Sequence, residues 1–326
     1  MKRKLVTVIV PVKNEVRKIG RLLRGLIGQT YRPLEIIIVD GGSTDGTREL
    51  VASYARTHSS HDLIIRSLNE GDYGKLRSPA NARNIGVLNA QGKYVVFFDA
   101  DYDLSNDVDA IKKIVETFES FEGCAHVAIT YEPSMHTWIE KHTTLDKIIL
   151  YFKVRKPLHI VCAFRAELIR NNLFDPTLGF QEDVELLQRL KTRPLVVDTN
   201  MRRCYPHTFS EKLRQAFWYG RTWRRYYKKV HRSWIKDFIR SNAVLGMVTL
   251  SMLLSTVSYI LGLITLACAF GLIAYRWLFR DYKNRSILRK YRATLLGRLS
   301  WYLFRETVLR LTFDLGFLKS IFQRST

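Results

Sequence analysis

The chain has 326 residues, 47% of them hydrophobic, and a formal net charge of +22. That length holds one large domain or two smaller ones with sizeable cores, and the charge calls for an anionic partner: nucleic acid, anionic lipid or a phosphorylated substrate. The four cysteines, Cys124, Cys162, Cys204 and Cys268, lie far apart without CxxC spacing, which argues against a cysteine zinc site and a disulfide framework.

The N-terminal MKRKLVTVIVPVKNE imitates a signal peptide, with a basic start and an apolar run. The run soon meets Pro11, Lys13, Asn14 and Glu15 and offers no small-residue cleavage site, so it reads as a first β-strand. Val16, Ile19, Leu22, Leu23, Leu26 and Ile27 then recur at helical spacing. LEIIIVD is a second strand, and the glycine-rich GGSTDG turn opens a second helix. DLIIRSL, residues 62 to 68, is a third strand, and a short helix around Ala80 to Ala90 leads into KYVVFFD. SNDVDAIKKIVETFESF predicts a helix capped by Ser105 or Asn106, and AHVAIT is strand again. This alternation predicts an α/β fold with a mostly parallel sheet and helices on both faces. Ligands in such sheets bind beyond the carboxyl ends of the strands. The strand exits noted here are Pro11 to Glu15, Asp40 to Asp45 and Asp99 to Asp103.

The third exit, VVFFDADYDLS, runs four apolar residues straight into Asp99, Asp101 and Asp103. In an extended chain these side chains share one face. Like charges so close repel unless something neutralises them. A divalent cation carried in with a diphosphate would do so, because Mg²⁺ and Mn²⁺ take oxygen ligands and commonly bridge one or two carboxylates to substrate phosphates. The plainer alternative is an acidic loop capping the next helix.

From Arg202 to Arg240 there are twelve Lys/Arg against two acids, interleaved with Trp218, Tyr219, Trp223, Tyr226, Tyr227 and Trp234. Residues 241 to 275 then carry no charge at all. A single crossing of a bilayer needs roughly 20 residues, so this stretch is expected to form a transmembrane hairpin turning at Ser255 to Ser258, within 241–279. One long tilted helix is the alternative. Residues 276 to 298 hold eight Lys/Arg and one acid, so basic flanks on both sides place both ends in the cytoplasm. The tail carries Arg298, Arg305, Glu306, Arg310, Asp314 and Lys319. It is expected to be an amphipathic interfacial helix, or a third crossing if its charges face protein or lipid phosphate.

VTVIVPVKNE, VDGGSTDGT, SPANARNIGVLNAQGKYVVFFDAD and GFQEDVEL occur in this order over roughly residues 5 to 215. Together they closely resemble the inverting family 2 glycosyltransferases, and in particular polyprenyl- and dolichyl-phosphate mannose synthases; cellulose-synthase-like enzymes are more distant. The resemblance implies a GT-A (Rossmann-like) catalytic domain over 1–215, followed by basic, aromatic interfacial helices over 216–240, the membrane hairpin over 241–279 and a basic loop with the tail helix over 280–326. It implies that Pro11, Val12, Asn14, Glu15, Asp40, Gly42 and Ser43 hold the nucleoside, and that Arg83, Asp99, Ala100 and Asp101 meet the nucleotide sugar. Asp101 ligates Mn²⁺ or Mg²⁺, with Asp99, Asp103 and His207 as further candidate ligands. Glu182 and Asp183 face the acceptor, and Asp183 is the candidate base. As residues alone, they read equally as first-turn acids favoured by a helix dipole. Arg83 likewise reads as a helix-surface arginine and His207 as a loop histidine.

The chain departs from the family's processive polysaccharide synthases, whose Gln-x-x-Arg-Trp motif is replaced by RQAFWYGRTW: Gln215 is present, but Arg221 and Trp223 come late. This departure, the membrane segment and Asp103 lean toward transfer of mannose from GDP-mannose to a polyprenyl or dolichyl phosphate, clamped by Arg202, Arg203, Gln215 and Arg221. UDP-glucose is the second donor, and a hydroxyl of a lipid-linked saccharide the second acceptor. The expected location is the membrane, catalytic domain on the cytoplasmic side. Two rivals are a basic nucleic-acid-binding protein and an inactive scaffold. The first is disfavoured because the densest basic runs flank the apolar segment, as anionic lipid heads would want. Intact Asp99, Asp101 and Asp183 speak against the second.

Overall fold

The structure, a computed structural model, describes residues 3–133, 136–154, 162–204, 208–229, 234–281, 284, 288 and 294–322. The chain divides into two compact units, Met1–Ser134 with Pro157–Tyr205, and Met135–Lys156 with Pro206–Thr326. Residues 135–156 and 206–215, expected within the first domain, group with the C-terminal helices.

In the first unit the chain runs β1 (Val6–Val12), α1 (Val16–Ile27), β2 (Leu34–Asp40), α2 (Thr47–His58), β3 (Leu63–Asn69), a 3₁₀ turn (Glu70–Tyr73), α3 (Pro79–Asn89), β4 (Tyr94–Phe97), β5 (Tyr102–Asp103), α4 (Ala110–Ser120), β6 (His126–Ile129) and β7 (Glu132–Pro133). After α5 (Trp138–Val154), which belongs to the second unit, come β8 (Cys162–Arg165), α6 (Ala166–Asn171), α7 (Glu182–Leu190), β9 (Leu195–Val197) and β10 (Arg202–Arg203).

Seven strands form one sheet in the order β3-β2-β1-β4-β8-β6-β9, and β5-β10-β7 form a second. Period-two alternation decides which core each side chain joins. Val6, Val8, Val10, Leu34, Ile36, Ile38, Tyr94 and Val96 pack with Leu22 and Leu23 of α1. Ile9, Ile37, Val39, Val95 and Phe97 pack on the other face with Ala80 and Val87 of α3. With both faces covered, β1 and β2 are apolar almost throughout, as buried parallel strands should be. Register brings Val12 beside Asp40 and Asp40 beside Asn69, so three strands end at one edge.

One expectation is corrected. α4 starts at Ala110, not after Ser105 or Asn106. The buried Asp107 accepts from Lys113 Nζ at 2.7 Å and from Asn200 N at 2.9 Å, which fixes the preceding stretch as a turn. β8 runs antiparallel to both β4 and β6, a reversal that strand–helix alternation does not announce.

The second unit is helical: α5, α8 (Phe209–Lys229), α9 (Trp234–Ser255), α10 (Tyr259–Asp281), α11 (Leu295–Phe304), a π-helical turn (Arg305–Leu309) and α12 (Arg310–Phe322). α5 and α8 each open with a reciprocal capping box, Thr137 with Glu140 and Thr208 with Glu211. α9 and α10 form a helical hairpin with its turn at residues 256–258, so the single long helix is excluded. Among the described residues no helix is long and apolar enough to cross a membrane. The break is the reason in part: it leaves the uncharged share of α9 at residues 241–255, short of the roughly 20 residues that a crossing needs. Arg298, Arg305, Glu306, Arg310 and Asp314 of the tail are paired within the unit. Asp146 on α5 accepts from Arg298 at 2.7 Å, Trp301 Nε1 at 2.9 Å and Arg305 at 3.1 Å, and Arg310 pairs with Asp314 at 3.0 Å.

Candidate active site

The site gathers at the carboxyl edge of the first unit's large sheet. The loops after β1 and β2 are stitched together: Asn14 N donates to Ser43 Oγ at 2.8 Å, Thr44 N to Asn14 Oδ1 at 2.8 Å, and Glu15 N to Thr47 Oγ1 at 3.0 Å. Asn14 holds φ +56°, a left-handed conformation that asparagine tolerates better than most residues. Pro11 and Val12 close β1 beside Val39 and Asp40. Asp40 is buried and accepts from Gly42 N at 3.1 Å and Ser43 N at 3.0 Å. Asp40 thus shapes its own loop, and the glycine's φ of +86° suits the turn.

β4 ends at Phe97, and Tyr102 N donates to Asp99 O at 3.3 Å, closing a turn. The three aspartates therefore do not sit on one extended face. Asp103 lies on β5, paired with Arg202, and its side chain accepts from Ser105 N at 3.0 Å. That turn sets Asp103 on β5, off the face that an extended chain would share with Asp99 and Asp101. Ala100 between them is buried in the core.

Two arginines answer the two carboxylates. Arg83, on α3, donates to Asp99 Oδ1 at 2.7 Å and to Glu182 Oε1. Arg203, on β10, donates to Asp99 Oδ2 at 3.3 Å and to Asp101 Oδ2 at 3.1 Å, with its guanidinium 4.9 Å from the centre of the Tyr102 ring. Burial pushes the Asp99 carboxyl up, but Arg83 and Arg203 outweigh it and hold it below the ordinary range. Burial raises Asp101, which Arg203 only partly offsets and the Asp99 charge adds to. Glu15 is raised by burial too, against Lys18, with Asp101 and Asp99 adding their repulsion.

Glu182 and Asp183 start α7, after Gln181 at φ +57°. Such a conformation at a non-glycine residue is uncommon and concentrates at functional sites. Burial raises Glu182 to about 7, with Arg83 opposing and Asp183 adding. Asp183 is raised as well, by burial first, against Arg83. A small pocket takes in Asp183, Arg83, Phe97, Phe164, Phe174 and Leu186. The apolar walls explain why Asp183 holds its proton more tightly than usual.

Among the described residues no group of three or more His, Cys, Asp or Glu is arranged to hold a metal by itself. Asp101 Oδ1 is nevertheless buried and has no hydrogen-bond partner among the described residues. An orphaned anionic oxygen beside a second carboxylate fits a cation that completes its shell with substrate phosphates. His207 lies outside the described residues. Arg202 is exposed at the second sheet, 3.9 Å from Glu132. Gln215 and Arg221 lie on α8 in the second unit, where Gln215 accepts from Lys212 and Arg221 is exposed. One residue escaped the reading of the sequence. Glu70 follows β3 directly, and an acid at a fourth strand exit was the signal for it.

Residues 7–175, just over half of the chain, match the family described as glycosyl transferase family 2. The chain belongs to glycosyl transferase family 2. An uncharacterized glycosyltransferase of Haemophilus influenzae is 33% identical over 107 residues, covering 33% of this chain and 40% of that protein. Glycosyltransferase AglE of Haloferax volcanii is 33% identical over 98 residues, covering 29% and 30%. The family 2 chain thus spans less than half the length of these curated relatives. Among solved structures, the mannosyltransferase PcManGT from Pyrobaculum calidifontis, in complex with GDP-Man and Mn²⁺, matches with a TM-score of 0.58 at 20% identity, over 98% of this chain and 88% of that one. At that identity the likeness speaks to the fold, a GT-A domain with a mostly parallel sheet.

Proposed function

We propose that this family 2 protein is a metal-dependent, inverting hexosyltransferase that moves mannose from GDP-mannose to a polyprenyl or dolichyl phosphate at a membrane surface. The observation that carries the transferase reading is the Asp99–Asp101 pair bridged by Arg203, with a buried Asp101 Oδ1 that has no partner among the described residues. When a Mn²⁺ or Mg²⁺ ion is bound, it supplies charge for the departing nucleoside diphosphate. Asp99 and Asp101 would hold that ion. Arg83 and Arg203 are preorganised cations beside the place where leaving-group charge develops. The neighbour's GDP-Man makes mannose the first donor to test, with UDP-glucose next.

The lipid acceptor rests on the second unit. Leu250, Met252, Leu253, Val257, Tyr259 and Ile260 stand exposed around the tip of the α9–α10 hairpin. Contiguous exposed apolar surface marks a partner or a bilayer, and the basic stretch before it suits anionic headgroups. The hairpin tip enters the membrane with both ends of the hairpin on the cytoplasmic side, alongside the catalytic unit.

A second acceptor, the hydroxyl of a lipid-linked saccharide, is favoured by Asp183. A carboxyl whose affinity for protons is raised in an apolar pocket is suited to general-base work. The test is transfer from radiolabelled GDP-mannose and UDP-glucose, with Mn²⁺, to polyprenyl phosphate and to a lipid-linked saccharide in parallel. Product on polyprenyl phosphate supports the main reading. Product on the saccharide alone selects the second, and no product from any nucleotide sugar rejects both.

A further inference from the structure

Glu70 is 2% exposed, yet only one of its carboxylate oxygens is engaged. Oε1 accepts from Ser78 N at 3.1 Å and from Asn81 Nδ2 at 2.8 Å. Oε2 accepts no hydrogen bond from the described residues, and no Lys or Arg of that set pairs with it. Oε2 is not among the fully buried, unpartnered oxygens of the described residues, so it keeps an opening through which a ligand's donors can reach it. The position of Oε2 says what would satisfy it. A Cβ built on Gly41 would stand 3.2 Å from Glu70 Oε2, 3.5 Å from Val12 O and 3.6 Å from Lys13 Cβ. Oε2 therefore lies in the crevice where β1, β2 and β3 end together, and Gly41 keeps that crevice open.

The rest of the site fixes the ligand's direction. Asp99 and Asp101 mark the diphosphate at the exit of β4, next to β1. Glu182 and Asp183 lie on the far side, reached through Arg83 from Asp99. With sugar toward α7, the nucleoside extends the other way, across β1 and β2 toward β3. Asp40, at the neighbouring exit, has its oxygens turned to Gly42 and Ser43. Glu70 is left to meet the base.

We infer that Glu70 reads the nucleobase of the donor and selects guanine. The inference rests on the nucleotide-sugar reading above and assigns it a specificity residue. Ionised carboxylates only accept hydrogen bonds, and charge-assisted bonds are the stronger ones. Guanine alone presents two adjacent donors on one edge, a ring N–H and a 2-amino group. Uracil presents one N–H between two carbonyl oxygens, whose lone pairs face the carboxylate's charge. Adenine and cytosine each place a ring acceptor beside their amino group.

The test is binding of GDP, IDP, UDP and pyrophosphate with Mn²⁺ to the full-length protein, by calorimetry. IDP differs from GDP only in lacking the 2-amino group. Wild-type protein binds GDP at least about tenfold more tightly than IDP, and still more tightly than UDP. Glu70→Gln keeps an oxygen for Ser78 and Asn81 but puts a donor where Oε2 was. It reduces the GDP-to-IDP ratio to near one while pyrophosphate affinity stays within about twofold. Equal binding of GDP and IDP by the wild type, or an unchanged ratio in the variant, overturns the inference and leaves the transferase reading standing. Failure to bind any nucleoside diphosphate overturns both. Should Glu70→Gln not fold, the wild-type ratio decides. Gly41→Ala, which sets a methyl in the crevice, then has to weaken GDP by at least about tenfold and spare pyrophosphate.

Discussion

Arg203 Nε donates to Asp101 Oδ2 at 3.1 Å, while Oδ1 of the same carboxylate is buried and accepts nothing from the described residues. One oxygen is neutralised by the protein and the other is held for something else. Asp101→Asn removes the anionic ligand and keeps an acceptor for Arg203. The expected result is loss of Mn²⁺ binding, followed by electron paramagnetic resonance, and at least about a hundredfold loss of transfer. Folding stability is expected to stay within about 0.5 kcal/mol. Full Mn²⁺-dependent activity in this variant would falsify the metal site.

Arg203 also acts without metal. It spans Asp99 and Asp101, whose charges would otherwise repel. Arg203→Gln is expected to cost about 1–3 kcal/mol in the metal-free protein, less than a fully buried pair because Asp99 is 39% exposed. Saturating Mn²⁺ should recover much of that loss, because a ligand that binds only the folded state stabilises it. The check is chemical denaturation with Mn²⁺ and with chelator. Equal loss under both conditions would separate Arg203 from the cation's place.

Glu182 gives a pH signature. Burial, with Asp183 adding and Arg83 opposing, carries its pKa from an ordinary 4.5 up to about 7. The folded state therefore binds the proton more tightly than the unfolded chain. The associated stability is present in full below about 4.5 and is lost as pH rises to about 7, in total on the order of 1–3 kcal/mol. Glu182→Gln cannot titrate. The difference in unfolding free energy between wild type and variant should change across this window and be flat above it. A constant difference from pH 4.5 to 7 counts against a raised Glu182.

Asp183 separates the acceptors. A phosphate monoester is largely ionised near neutral pH, with a second pKa of about 6, and needs no proton removed. Asp183→Asn should then retain most of its rate with polyprenyl phosphate. With a sugar hydroxyl, loss of the base should cost a factor of about 10² to 10⁴. Initial rates of the variant on both acceptors make the comparison. A loss of similar size on both would assign Asp183 a structural role.

The first unit was readable because its signals are local. β1, β2 and β3 are apolar runs bounded by polar turns, and α1 and α2 have helical period. Asp99, Asp101, Arg83 and Glu182 came from motif blocks, and the structure brings these four together. Three things were not readable. Asp103 was misplaced because alternation assumes an extended chain, and the turn after Phe97 breaks it. The pairing of Arg203 with Asp99 and Asp101 was hidden because nothing local shows that β10 pairs with β5 across about 100 residues. Glu70 carried a local signal, an acid at the exit of β3, but its closeness to Gly41 is set by β2–β3 register and shows only in the fold.

Gly220 and Gly316 carry the last prediction. α8 and α12 cross so closely that a Cβ on Gly220 would collide with the Phe313 carbonyl, and one on Gly316 with the Phe217 carbonyl. Both obstacles are backbone, which cannot swing aside as a side chain would. Trp223 packs edge-on against Phe313 and Phe317, at 5.9 and 5.5 Å between ring centres, so the helices cannot part without losing those contacts. Overpacking of a well-fitted core typically costs 1–3 kcal/mol, and a crossing blocked at its backbone belongs at or above the upper end, roughly 3 kcal/mol. Gly220→Val and Gly316→Val should each destabilise the helical unit by that amount. Because both act on one crossing, the double variant should lose less than the sum. Ser210→Val, at an exposed position near the start of α8, controls for β-branching in a helix and should cost well under 1 kcal/mol. Denaturant unfolding followed by tryptophan fluorescence reports the loss through Trp223. Wild-type midpoints in both glycine variants would mean that α8 and α12 do not meet at these residues.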